Sequence, residues 1–309
     1  MGVGRGHGKL LLFGEHAAVY GHPAVGIRLD DYLEVEIQEQ SEAGWIVSEV
    51  RGDERRLIVT ALSAVAGMVR DAPTSGRVTI RGTLPLGVGF GSSAAFCTAL
   101  LRACGLASDG DTGTREFWRR AHELEHIFHG TPSGIDTGLS VYPGASMVEP
   151  RPAGLPHRTE IELPHAVLLA GAIPRTRSTA ALVAAIRERR SHDAPGVEAA
   201  MARLGEYARK ASSPALCPSA AELGRTADDA HELLAQLGLS TPALDGLLAT
   251  LRRAGARGAK LSGAGGGGAF YGVFETAEEA EEAASAVRRE HAQAGISYLR
   301  AFTLKITRR

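Results

Sequence analysis

Four stretches of this 309-residue chain set residues capable of chemistry at spacings that could use them. Pro85–Ala95, PLGVGFGSSAA, places Gly87, Gly89 and Gly91 ahead of Ser92, Ser93, Ala94 and the apolar run FCTALLRAC. A glycine-rich loop that opens a helix aims unpaired main-chain N–H groups outward, where the helix dipole favours an anion. The two hydroxyls add ligands for phosphate or Mg²⁺. The stretch reads as a phosphate cradle, favoured over a plain strand-to-helix turn by three glycines and paired serines. Gly8–Gly21, GKLLLFGEHAAVYG, is an apolar strand that carries Lys9 at its start and Glu15-His16 after a glycine turn. A core strand ending in a surface turn is its plainer reading. Glu125–Asp136, EHIFHGTPSGID, ends a helix, turns through Pro-Ser-Gly and presents Asp136, which could equally be the next helix N-cap. Lys260–Ala269, KLSGAGGGGA, is a second glycine-rich loop directly after a strand. Four consecutive glycines cost entropy, so close backbone approach is favoured there over a flexible hairpin.

Two familiar phosphate loops fit poorly. The dinucleotide fingerprint needs a third glycine where Ser92 stands, and the register Gly89, Gly91, Ala94 meets only its relaxed form. The Walker pattern needs Lys-Ser/Thr after the loop. Gly8-Lys9 is instead followed by Leu10, and Val3 sits where its first glycine belongs.

Composition narrows the class. Hydrophobic residues make up 44%, and 34 basic against 35 acidic residues leave a net charge of −1, which argues against a nucleic-acid surface. Three cysteines (Cys97, Cys104, Cys217) make no disulfide framework and suit a reducing compartment, with Cys97 and Cys104 as core fillers. No run is apolar enough to span a bilayer. The first residues lack a secretory core, because Gly14-Glu15-His16 interrupts it, and lack a myristoylation signal, because Gly6 replaces Ser or Thr. The expected location is the cytoplasm.

The elements that must position these residues follow from periodicity. Strands are expected at Lys9–Phe13, Ala24–Leu29, Leu33–Glu39, Trp45–Val50 and Arg77–Gly82, with a helix at Arg55–Arg70. Helices follow at Ala94–Cys104 and Thr114–His129, the latter with Phe117, Ala121, Leu124 and Phe128 on one face. The alanine-rich second half reads as helices at Ser178–Arg190, Val197–Ala211, Ser219–Leu237, Pro242–Arg253 and Ala277–Ala292. Strands there fall at Ala166–Gly171, Ala259–Ser262, Gly268–Phe274 and Tyr298–Leu304. Thr241-Pro242 is an N-cap followed by proline. Prolines at 150, 152 and 156 mark a boundary, giving an α+β chain of two lobes, 1–160 and 161–309.

Together the four stretches resemble the GHMP kinase superfamily, and within it the mevalonate kinase family, in the right order and over nearly the whole chain. GEH followed by VYG resembles that family's first motif, and HGTPSGID its aspartate segment. The resemblance implies a two-lobed fold, with an N-terminal lobe like ribosomal protein S5 domain 2 and a ferredoxin-like C-terminal lobe. It implies ATP and Mg²⁺ as cofactors and phosphorylation of mevalonate as the reaction in a site between the lobes. No nucleic-acid or membrane partner is implied, and a homodimer is left open. Pro85, Gly87, Gly89, Gly91, Ser92, Ser93 and Ala94 would hold the nucleotide phosphates, and Ser93 with Glu125 would hold Mg²⁺. Asp136 would orient or deprotonate the acceptor hydroxyl, with Lys9 beside it to stabilise developing charge. Glu15, His16, Thr179, Gly263 and Ala264 would serve the acceptor side, with Thr176 a second candidate for Thr179. Arg175 or Arg177 could meet a carboxylate. Departures from the family pattern are Gly6-His7 for Ala-Pro, Phe90 for Leu and Thr137 for Asn. Phosphomevalonate or a sugar is the competing acceptor, and a nucleotide sensor without catalysis is disfavoured by Lys9, Glu125 and Asp136.

A rival motif lies in the same helix. His122-Glu123-Leu124-Glu125-His126 satisfies both the zincin pattern HExxH and its inverse. His129 stands where the extended zincin pattern needs glycine, and nothing else in the chain supports peptide hydrolysis. The kinase reading is preferred, with the two histidines on a solvated helix face.

Overall fold

A computed structural model describes residues 2–40, 43–48, 52–108 and 110–304. The chain forms two compact units. The first comprises Met1–Leu10, Ile27–Gly144 and Ala153–Pro156, and the second Leu11–Gly26, Ala145–Pro152 and His157–Arg309.

The first unit is organised by a strand that lacks side chains on one face. Strand β1 (Gly2–Phe13) has glycine at 2, 4, 6 and 8. Helix α2 (Ser92–Ala103) lies directly on that bare face. A Cβ at Gly2, Gly4 or Gly6 would fall 1.9, 2.2 or 1.8 Å from the carbonyl oxygens of Ala103, Ala99 and Ala95. The match is geometric: two strand residues advance about 6.7 Å and four helix residues about 6.0 Å, so every second glycine meets one ridge of the helix. This accounts for Gly6 where the family pattern has alanine. β1 pairs with β2 (Ala24–Gln38), which pairs antiparallel with β4 (Gly76–Gly82), and β4 pairs parallel with β3 (Trp45–Val47). Away from α2, Arg5 and Arg81 both meet Glu34 on β2. Helices α1 (Gly52–Val65), α3 (Gly110–His129) and α4 (Ile135–Val141) complete the unit.

The structure differs from the sequence expectations in several elements. β1 begins at Gly2, not Lys9, because its period is written in glycine instead of apolar residues. The expected strands at 24–29 and 33–39 are one strand, since Asp30-Asp31 does not break it and Asp31 is buried inside. The expected end of the Trp45–Val50 strand, residues 49–50, lies outside the described residues. α4 was not foreseen.

The second unit holds a four-stranded sheet in the order β10-β7-β9-β8, formed by β7 (Ala166–Ile173), β8 (Gly258–Leu261), β9 (Gly268–Phe274) and β10 (Tyr298–Leu304). All three pairings are antiparallel. With helices between β7 and β8 and between β9 and β10, this is the ferredoxin-like βαββαβ order that the resemblance implies. β7 is buried along its whole length. α5 (Thr179–His192), α6 (Ala194–Ala211), α7 (Ala220–Gln236), α8 (Pro242–Arg253) and α9 (Ala277–Glu290) supply the helices. Thr241 caps α8 as its sequence requires, accepting from the Leu244 N–H, and Thr276 forms a full capping box on α9. A hairpin, β5 (Ala145–Glu149) with β6 (His157–Ile161), fills the stretch read as a boundary. All three cysteines are buried thiols. No helix among the described residues is long and apolar enough to cross a membrane.

The bare face of β1 makes a direct prediction. Gly6→Ala places a methyl 1.8 Å from the Ala95 carbonyl oxygen and 2.3 Å from Thr98 Oγ1. It should destabilise the protein by about 1–3 kcal/mol or more in denaturant titration. An unchanged midpoint would show that α2 does not need the glycine face.

Candidate active site

In the first unit the glycine face ends where the phosphate loop begins. The Lys9 N–H donates to the Phe90 carbonyl at 2.9 Å, and the Phe90 ring is fully buried, anchoring the loop from below. Gly87, Gly89 and Gly91 all have positive φ (73°, 111° and 74°). Gly91 is the N-cap of α2, left-handed and without any side-chain cap, so the first N–H groups of the helix stay available to an anion. A Cβ at Gly91 would strike the Lys9 stem, 2.8 Å from Cγ and 3.0 Å from Cε. Glycine is therefore needed there twice, for its dihedral and for the lysine. Ser92 Oγ accepts from the Gly87 N–H at 3.3 Å, bracing the loop from inside. Pro85 and Ser93 are half-buried, and Ala94 is buried in the core.

One strand and two helices bring charged groups to this loop. Lys9 is buried, and its Nζ lies 3.0 Å from Asp136 Oδ1 in the first turn of α4. Asp136 is not the N-cap; Gly134 is, in left-handed conformation. Glu125 on α3 is buried, and its Oε1 accepts from Ser93 Oγ at 3.4 Å. Its Oε2 is enclosed without a hydrogen-bond partner. Burial, and then the negative charge of Asp136, push the Glu125 carboxyl up to about 8, against the pull of Lys9, Ser93 and Thr137. A carboxylate oxygen enclosed beside a hydroxyl, with no proton donor of its own, suits a small hard cation that takes its other ligands from water and phosphate.

His129 was missed at the sequence level. Its Nε2 lies 2.9 Å from Ser93 Oγ, so the hydroxyl is held between an imidazole and a carboxylate. The available signal was spacing, since His129 is four residues from Glu125 and shares its helix face. Thr137, which replaces the usual asparagine, turns inward and donates to the Gly134 carbonyl at 3.2 Å.

The zinc-hydrolase reading does not fit this helix. The His122 and His126 rings are 5.0 Å apart, but His126 Nδ1 is engaged with the Gly130 carbonyl at 2.8 Å. Glu123, which would be the base, is ion-paired with Arg119 and Arg120. No group of three or more potential ligands is disposed to hold a metal among the described residues.

The second unit carries the remaining candidates. Glu15 is fully buried in an ion pair with Lys260, whose Nζ also donates to the Leu261 carbonyl at 2.7 Å. The lysine is enclosed by the Phe13 and Tyr271 rings at 5.7 and 5.5 Å. His16 adopts φ 57°, a strained value for a side-chain-bearing residue, and its Nε2 meets the Ala264 carbonyl at 2.9 Å. Burial lowers its affinity for a proton. Ser262 Oγ and Tyr271 Oη donate to the carbonyls of Leu11 and Leu12, tying the strand to the sheet. In the glycine run, a Cβ at Gly265 or Gly267 would lie 2.2 or 2.3 Å from the carbonyls of Leu239 and Pro174. Close backbone approach is thus the reason for those glycines. Gly263, also at positive φ, has only Arg175 near its Cβ position, 4.0 Å away. Thr176 spends its hydroxyl on the Gly266 carbonyl at 3.1 Å. Thr179 is exposed and accepts from Arg175 at 3.2 Å, which leaves its own proton to give and makes it the better acceptor-side candidate. Arg177 is exposed, with its Cβ packed towards Gly266.

Comparison with known proteins agrees with this chemistry. The family model for the GHMP kinases N terminal domain matches residues 56–144, and that for GHMP kinases C terminal matches residues 212–293. The chain is 30% identical to a mevalonate kinase of Archaeoglobus fulgidus, over 87% of this chain and 90% of that one. It is 32% identical to one of Pyrococcus horikoshii, over 86% of each. Among solved structures, mevalonate kinase of L. major in complex with R-mevalonate superposes with TM-score 0.85 at 23% identity, covering 100% of this chain and 97% of that one. A phosphomevalonate kinase of Streptococcus pneumoniae has TM-score 0.75 at 16% identity, covering 98% and 100%. The fold is therefore shared by kinases of different acceptors.

The raised Glu125 carboxyl yields a test that needs no turnover. A carboxyl whose folded pKa exceeds its unfolded value gives stability below the unfolded value that is lost as pH rises through the folded one. Metal-free protein should lose thermal stability between about pH 4.5 and pH 8, and Glu125→Gln should flatten that slope. An identical slope in the variant would contradict the burial of this charge.

Proposed function

The chain belongs to the GHMP kinase family, and we propose that its reaction is transfer of the γ-phosphoryl group of ATP to the primary hydroxyl of mevalonate, giving 5-phosphomevalonate. The observation that carries the reading is the buried Lys9 ammonium 3.0 Å from Asp136, at the foot of an uncapped glycine loop. The relatives at 30–32% identity, each a mevalonate kinase, support the choice of acceptor. GHMP kinases use ATP as donor.

The proposed roles are those that the family resemblance implies, and charge and placement support them. Main-chain N–H groups of Gly89–Ser93 hold the donor phosphates. Ser93 Oγ and the Glu125 carboxylate would hold Mg²⁺, which when bound neutralises phosphate charge. Asp136 takes up or orients the proton of the acceptor hydroxyl as its oxygen bonds to phosphorus and the bond to the ADP oxygen breaks. Lys9 offsets the charge that gathers there. His16, Thr179, Gly263 and Ala264 serve the acceptor side, and Glu15 holds His16's segment through Lys260. Three buried thiols accord with a reducing cytoplasm.

An ADP-release screen over mevalonate, phosphomevalonate, homoserine and galactose tests the acceptor. Mevalonate should give the highest kcat/KM, and preference for another acceptor would overturn the choice. Asp136→Asn should lose about a hundredfold or more of kcat while nucleotide affinity survives. Near-normal turnover would remove Asp136 from its role.

A further inference from the structure

Asp136 sits on a seven-residue helix whose far half is anchored by Ser140, which donates to the His7 carbonyl at 2.6 Å. α4 starts at Gly134, which is left-handed (φ 76°) and offers no side-chain cap. Its start is instead fixed from α3. Trp118, 1% exposed, donates its indole N–H to the Gly134 carbonyl at 3.0 Å. That carbonyl is a hub, accepting also from the Gly138 N–H at 3.0 Å and from Thr137 Oγ1 at 3.2 Å. The indole face then lies against the next turn. A Cβ at Gly138 would fall 2.8 Å from Trp118 Cζ2 and 2.9 Å from Cε2, so glycine there lets the ring seat. The far end of α4 meets the same ring, with Tyr142 edge-on at 5.6 Å and 86°.

One side chain thus contacts the first residue before α4, its middle and the residue after it. Trp118 also stands seven residues before Glu125, two turns along the same helix face. The face of α3 that bears Glu125 is therefore the face that seats α4 and Asp136.

We propose that Trp118 is a positioning residue for Asp136: its indole N–H and face set the axial position of α4, and so the placement of the Asp136 carboxylate against Lys9. This rests on the role given to Asp136 in the proposed kinase reaction. Trp118 contacts no substrate in this account and acts through α4 alone.

The test is a kinetic cycle. Trp118→Phe keeps most of the packing and removes the N–H. It should lower kcat by about tenfold to a hundredfold, the scale of a small misplacement of a reacting group. KM for ATP and for mevalonate should stay within about threefold, since neither ligand touches the indole. In the Asp136→Asn background the same change should cost no more than about twofold of the residual turnover, because the group it positions is already gone. Gly138→Ala, which favours the helix but pushes a methyl into the ring, should reproduce the kcat loss and carries the test if Trp118→Phe does not fold. A Trp118→Phe kcat within about twofold of wild type, or an equal loss in both backgrounds, would overturn the proposal. So would a failure of both variants to fold, which would make Trp118 structural only. Wild-type protein that releases no ADP with any acceptor would instead sink the kinase reading.

Discussion

The first unit depends on a single constraint, the direct seating of α2 on the glycine face of β1. Three carbonyls of one helix ridge lie where methyl groups would otherwise be. No side chain intervenes to act as a spacer, so strand and helix are fixed to each other by backbone contact. Backbone is stiffer than any layer of rotamers, and a core at this density transmits small shifts instead of absorbing them. The strand therefore delivers Lys9 to a defined height below the first turn of α2. The loop that precedes α2 has to arch over that lysine, which is why its last residue before the helix is a left-handed glycine.

The charges placed on this frame are coupled. Lys9 is enclosed and has Asp136 as its counter-charge, while Glu125 is enclosed nearby with one oxygen unpartnered. In the low local dielectric two carboxylates and one ammonium cannot all be comfortable, and the cost falls on Glu125, which is pushed towards protonation. A divalent cation with its phosphates would reverse that cost. The protein's own groups thus set an unfavourable charge arrangement that a cation bound with the nucleotide phosphates would relieve. This is one way to keep a hydroxyl, a carboxylate and a phosphate cradle mutually dependent.

Part of this was legible in the sequence because it was written in glycine and serine. The loop at 85–95 lies where its glycines and serines placed it, whereas the pairing of Ser93 with Glu125 and the meeting of Lys9 with Asp136 were legible only through the resemblance to the GHMP kinases. Strand β9 and helices α2 and α8 begin or end within a residue or two of their signals. The illegible parts share a cause, which is that tertiary contact replaced a local signal. The alternating glycines of β1 carry strand period without hydrophobicity, so only the presence of α2 reveals their purpose. Asp30-Asp31 reads as a break until Asp31 is seen buried within β2. α4 is too short and too rich in small residues to announce itself, and its start is fixed by Trp118 from another helix. His129 looked like part of a turn motif, and only its distance to Ser93 gives it a partner.

The central claim is that the buried Lys9–Asp136 pair serves the transfer step and not the retention of nucleotide. Single-turnover measurement of γ-phosphoryl transfer in Lys9→Met, alongside nucleotide affinity measured independently, tests it most directly. Transfer should fall by about a hundredfold or more while affinity changes by only a few-fold. A variant that transfers phosphate at the wild-type rate, or whose loss is matched by an equal loss of nucleotide affinity, would contradict it.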